Sequence, residues 1–92
     1  DINNGIIENF EFAPNPASDE ANIRFDLLKD TKILKLEIYD SKGDMIANIP
    51  VASYNKGQNY INLNTSGINS GSYYLVLNAD NAKMCLPIRI VR

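Results

Sequence analysis

Hydrophobic and polar residues alternate along most of this chain. From Glu20 to Leu28, Ala21, Ile23, Phe25 and Leu27 fall on one side and Asn22, Arg24 and Asp26 on the other. A period of two belongs to a half-buried β-strand. Lys32 to Asp40 repeats it, with Leu34, Leu36 and Ile38 inward and Lys35, Glu37 and Tyr39 outward. Asn59 to Asn64 turns Ile61 and Leu63 inward, and Ser72 to Asn78 does the same with Tyr73, Leu75 and Leu77. Lys83 to Val91 places Met84, Leu86, Ile88 and Ile90 on one face. A weaker strand is centred on Met45 to Ile49. Ile6-Ile7 with Phe10 and Phe12 opens a first strand that ends at Pro14.

Turn residues separate these runs. Pro14 and Pro16 flank Asn15; each fixes φ and lacks an N–H, which suits a rigid turn or a sheet edge. Asp40-Ser41-Lys42-Gly43 reads as a turn, with Gly43 free to take positive φ. Ala79-Asp80-Asn81 reads as a hairpin turn. Pro87 cannot donate to a ladder, so the last strand is expected at an edge or bulged. No segment keeps a 3.6-residue period over three turns. About seven short strands at roughly 8–12-residue spacing predict a sandwich. The expected fold is all-β, an immunoglobulin-like antiparallel β-sandwich. Its expected inward set is Ile23, Phe25, Leu27, Leu34, Leu36, Ile38, Ile61, Leu63, Tyr73, Leu75, Leu77, Leu86 and Ile88. The absence of Trp and the single cysteine exclude an antibody-type core.

Composition narrows the function. Ninety-two residues make one domain, and a 45% hydrophobic content argues against disorder. Residues 1–9 are polar and read as a linker remnant, leaving 10–92 as the domain. No secretory leader pattern opens the chain, so it is expected to be a piece separated from its parent's export signal. The net charge of -2 carries no basic block, so nucleic acid is not an expected partner. No apolar run approaches the ~18 residues of a membrane helix. The chain has no histidine, which removes Ser-His and Cys-His relays and the usual imidazole metal ligands. Cys85, the one cysteine, forms no intrachain disulfide and lacks a base to activate it. Asp40 to Asp44 lacks the alternating oxygen ligands and closing Glu of a calcium loop. Asp19-Glu20 has no partner for paired-carboxylate catalysis. No catalytic residue, metal, cofactor or small-molecule substrate is therefore expected. The tyrosines leave one alternative open. Tyr39, Tyr60 and Tyr74 all point outward in this register, and such rings can stack on sugars or bases, although tyrosine is also simply a favoured strand residue.

Three turn motifs occur in order: Phe12-Ala13-Pro14-Asn15-Pro16-Ala17-Ser18, then Leu36-Glu37-Ile38-Tyr39-Asp40-Ser41-Lys42-Gly43, then Ser70-Gly71-Ser72-Tyr73. A last strand closes at Ile88, Ile90 and Arg92. Over about Phe10 to Arg92 this resembles the C-terminal sorting domain of proteins exported by the type IX secretion system of Bacteroidetes. The resemblance implies a small β-sandwich that serves as an address. It implies two partners, an outer-membrane translocon and a sortase-like peptidase that cuts in or near residues 1–9. It also implies passage through the periplasm to the cell surface or medium. The residues it singles out are Pro14, Asn15, Pro16, Asp40, Gly43, Gly71, Tyr73, Ile88, Ile90 and Arg92. An edge strand at 81–92 would offer unpaired backbone groups for recognition by strand addition, or for self-association. The alternative is an accessory immunoglobulin-like spacer or glycan-binding module of a secreted protein, with Tyr39, Tyr60 and Tyr74 as its patch.

The strand register is open to a direct check. Leu36→Asp should unfold the domain by burying an unpaired charge; a variant that melts like the parent would show the inward assignment of that strand to be wrong.

Overall fold

The computed structural model describes residues 6–51 and 55–91. Seven strands follow in order: β1 (Ile7–Ala13), β2 (Glu20–Leu27), β3 (Leu34–Asp40), β4 (Met45–Ile49), β5 (Gly57–Asn64), β6 (Gly71–Ala79) and β7 (Ala82–Ile90). They build two antiparallel sheets, ordered β1-β2-β5 and β4-β3-β6-β7. Three hairpins, β1–β2, β3–β4 and β6–β7, stay within one sheet, and the other connections cross between sheets. This is the immunoglobulin-like sandwich expected from the alternation.

The core lies between the two inner faces. Ile23, Phe25 and Leu27 from the first sheet meet Leu36, Ile38, Leu75, Leu77 and Ile88 from the second, and none is more than 1% exposed. The Phe10 and Phe25 rings pack edge to face, 6.5 Å apart at 85°, a geometry that sets a ring edge against the neighbouring π-face.

Three expected inward residues, Ile61, Leu63 and Leu86, are only half-buried. They sit on β5 and β7, the outermost strands of their sheets, where packing comes from one side. Conversely, Ile7, Phe10 and Phe12 join the core although the expected inward set omitted them, and Ile7 and Phe10, three residues apart, could not share a face on an unbroken pleat. The cause is a bulge: Glu8 pairs with Asp26 but Glu11 with Arg24, so β1 carries one extra residue. Asn9 takes φ 56° there. The extra residue resets the pleat and turns both Ile7 and Phe10 inward. Val76 is on the outer face yet 7% exposed, because Glu37 and Cys85 flank it on the neighbouring strands.

One end of the sandwich is tied by aspartates. Asp80, at φ 54°, forms the β6–β7 turn with Asn81 between the paired Ala79 and Ala82. Its Oδ1 accepts from the Lys32 and Ile33 amides, both at 2.9 Å, and its own amide donates to Ile33 O. Asp30 Oδ1 accepts from the Lys56 amide at 2.7 Å. The first described residues are also here, with the Leu28 amide donating to Ile6 O and Ile7 opposite Leu27.

Donations from the Ile33 and then the Lys32 amide hold the Asp80 carboxyl below its ordinary value. A carboxyl lowered in the folded state stabilises fully above its unfolded pKa, and that contribution is lost as pH falls through the folded one. The parent should therefore lose stability as pH drops below about 4. Asp80→Asn keeps an acceptor and tolerates positive φ. It should be less stable than the parent at pH 7, and the gap should narrow towards pH 2. Urea unfolding at both pH values checks this; a gap of constant size would show that the charge contributes nothing.

Candidate recognition site

The sequence-distant motifs meet at the end of the sandwich opposite Ile6. Asp40 lies opposite Tyr73, and Tyr73 opposite Ile88. Gly71 lies opposite Ile90, which also bridges in parallel to Ala17. The Pro-Asn-Pro turn, the Asp40–Gly43 turn, the start of β6 and the end of β7 are thus neighbours. The β5–β6 loop joins them: Thr65 donates from its amide to Asp19 O and from Oγ1 to Ser18 O, each at 2.8 Å.

Each motif residue has a local task. Both the Ala13-Pro14 and Asn15-Pro16 peptides are cis. Asn15 reaches across to β7, accepting from the Arg89 amide on Oδ1 at 3.0 Å and donating from Nδ2 to Pro87 O at 3.3 Å. Ala17 continues the pairing, donating to Arg89 O at 2.9 Å and accepting from the Val91 amide at 2.8 Å. In the second motif, Asp40 Oδ1 accepts from the Lys42 amide at 2.9 Å and the Asp44 amide at 3.0 Å. These donations, Asp44's first, hold its carboxyl below the ordinary value. Gly43 takes φ 92° and donates to Asp40 O, a conformation that disfavours any side chain.

Tyr73 is 9% exposed, and its hydroxyl donates to Asn69 O at 2.6 Å. A tyrosine at the start of this strand, bonded back to the backbone just upstream, is the tyrosine corner of immunoglobulin-like sandwiches. Gly71 has φ 159°, nearly extended, and a Cβ there would meet the Tyr73 ring at an ordinary 3.5 Å. The space would admit a Cβ, but φ 159° lies at the edge of the range that side chains rarely adopt. Ile88 and Ile90 are each 1% exposed and belong to the core. Arg92 lies outside the described residues, as does Tyr54.

β7 is an edge strand, as Pro87 indicated, but its edge is not vacant. Pro87, Arg89 and Val91 direct their backbone groups away from β6, and the turn already occupies them. Alternation leaves only Lys83 and Cys85 with outward backbone groups along the rest of the strand.

The three outward tyrosines do not form one patch. Tyr39 and Tyr74 are cross-strand neighbours on the outside of the four-stranded sheet. Tyr60, 66% exposed, lies opposite Arg24 on the outside of the other sheet. Alternation assigns a side chain inward or outward; it does not say which sheet the strand joins. Tyr39 also donates to Glu37 Oε1 at 2.9 Å, and that bond raises its pKa above the ordinary value.

Beside the turn runs a groove of 460 Å³ lined by Asn15, Pro16, Ser72, Tyr73, Tyr74, Pro87, Ile88 and Arg89. A second concavity of 340 Å³ lies on the other sheet among Asp19, Glu20, Asn62, Asn64 and Ser66. Among the described residues no group of three or more Cys, Asp or Glu is placed to hold a metal ion. Sequence reasoning missed the reach of Asn15 to β7, the Asp80 tie and the tyrosine corner. Only the last had a local signal, a tyrosine opening the sixth strand after a loop.

Residues 11–90 match the model of the family described as the secretion system C-terminal sorting domain. The chain belongs to this family of type IX sorting domains. No curated protein and no solved structure matches it significantly.

Asn15→Ala should cost about 1 kcal/mol by removing two exposed hydrogen bonds. Amide exchange should accelerate at Arg89, which loses its acceptor, while Val91 stays protected by Ala17. Equal protection of Arg89 in variant and parent would show that the side-chain bond is not formed in solution.

Proposed function

We propose that this domain is a non-catalytic address that carries an upstream cargo through the type IX outer-membrane translocon to the cell surface or medium. The observation that carries the reading is the family match over residues 11–90, which spans all of the turn motifs that converge. In this reading the cargo has crossed to the periplasm by another signal. The translocon engages the motif end, and a sortase-like peptidase cuts within or just upstream of residues 1–9.

The geometry supports such a division of labour. The chain enters beside Leu28 and Asp80 at one end of the sandwich, and the motifs gather at the other. A cargo attached through residues 1–5 would leave the motif end free to meet a receptor. The glycan-binding alternative loses its three-tyrosine patch. Self-association through β7 is opposed by the turn that already occupies residues 87–91 of its edge.

Truncation is a poor test of recognition here. Removing residues 88–92 takes Ile88 and Ile90 out of the core, so lost export would report unfolding as readily as lost recognition. A fusion is cleaner. Residues 1–92 behind a signal peptide and a fluorescent reporter should bring the reporter to the surface or medium of a Bacteroidetes host with a working type IX translocon, and leave it periplasmic without one. Periplasmic retention in both hosts would overturn the proposal.

A further inference from the structure

We infer that the outer face of β6 and β7, bounded by the Pro-Asn-Pro turn, docks an extended acidic peptide segment of a protein partner. This rests on the export reading and adds to it the chemistry of what the domain meets.

Three observations converge on that occupant. The first is an apolar row across all four strands of the sheet. Met45 lies opposite Tyr39, Tyr39 opposite Tyr74, and Tyr74 opposite Pro87. Met45 is 53% and Tyr74 45% exposed. Four strands ~4.8 Å apart make a row of about 14 Å, the length of four or five extended residues. The second is Arg89. It lines the groove beside Tyr74, Pro16 and Pro87, and among the described residues no carboxylate lies within ion-pair distance of it. A guanidinium beside aromatic and proline surface suits a carboxylate carried on an otherwise apolar segment, since it binds carboxylates bidentately.

The third is the charge of the two faces. Outward positions on the four-stranded sheet carry Lys35, Lys83 and Arg89 against Glu37 alone, and Glu37 already accepts from Tyr39. Outward positions on the other sheet carry Glu8, Glu11, Glu20 and Asp26 against Arg24. The face with the groove attracts an acidic segment and the opposite face repels one. Docking here needs no free strand edge, so the Asn15 and Ala17 pairing to β7 can stay intact. That turn instead forms one wall of the groove.

The test uses the chain and its reporter fusion with four variants: Arg89→Glu, Arg89→Lys, Tyr74→Ala and, as a control at the opposite end, Lys56→Glu. All three positions are exposed, and melting curves matching the parent establish that each variant folds. Export should fall tenfold or more in Arg89→Glu and Tyr74→Ala, fall by less in Arg89→Lys, which keeps the charge but loses the bidentate fork, and stay near the parent in Lys56→Glu. Parent-like export of Arg89→Glu overturns the docking proposal while leaving the export reading standing; an unexported parent fusion removes both.

NMR titration of the isotope-labelled chain supplies the direct readout. An eight-residue peptide alternating glutamate and valine should shift resonances around Ser72, Tyr74 and Arg89. Its lysine-for-glutamate counterpart should bind at least tenfold more weakly, as should the glutamate peptide to Arg89→Glu. Equal binding of the two peptides overturns the proposal. So does binding to anionic phosphatidylglycerol vesicles or neutral oligosaccharide but not to the glutamate peptide. Concentration-dependent dimers that vanish in Arg89→Glu would assign the face to a second copy instead, and equally overturn it.

Discussion

Ala17 and Asn15 pair with the outer edge of β7 as a strand would, through four hydrogen bonds of 2.8 to 3.3 Å. Most of the motif end depends on this contact. It joins the hairpin of the three-stranded sheet to the last strand of the other, bringing residues more than seventy positions apart into one layer. The turn is built so that it cannot continue as a strand: prolines stand on both sides of Asn15, and neither can donate. Asn15 supplies from its side chain the donor and acceptor that a strand's backbone would offer. Pro87 fits the same arrangement from the other side. Its missing N–H falls on the outward edge rather than in the ladder with β6, so the β6–β7 pairing loses nothing. The turn needs only its carbonyl.

An exposed edge strand invites pairing with other chains, and folds cover or blunt such edges. Here the cover is the Pro14-Asn15-Pro16 turn. That changes what the motif is for physically. The two prolines by themselves suited a rigid turn or a sheet edge. The structure shows it closing the flank of the sandwich where β1 and β7 meet. An exported domain must stay unpaired until it meets its receptor, and covered backbone with open side chains is one way to meet that need.

How much of this the chain discloses depends on the range of the interaction. Strand positions follow from alternation, a property of neighbours, and all seven strands were legible for that reason. Burial at β5 and β7 was overestimated, because edge or centre is decided by strand order, which alternation does not encode. Ile7 and Phe10 escaped because one residue in αL at Asn9 shifts the count by one. Tyr60 and Tyr74 looked equivalent because each points outward, yet they occupy opposite faces. Asp80 and Asn15 act on backbone groups 47 and 72 or more residues away. Nothing in their neighbourhoods announces those partners, and both read locally as ordinary turn residues.

The motif end was legible only as a set of separate turns, and the register explains why they form one set. In an antiparallel sandwich every second connection returns to the same end. Turns after β1, β3 and β5 therefore gather at one pole, and those after β2, β4 and β6 at the other. The Pro-Asn-Pro turn, the Asp40–Gly43 turn and the loop before Tyr73 are the odd-numbered connections, and β7 ends among them. The even-numbered ones carry the Asp80 and Asp30 ties and sit with the incoming chain. These three turns thus mark one pole of the fold, and the chain enters at the other, where the Leu28 amide donates to Ile6 O.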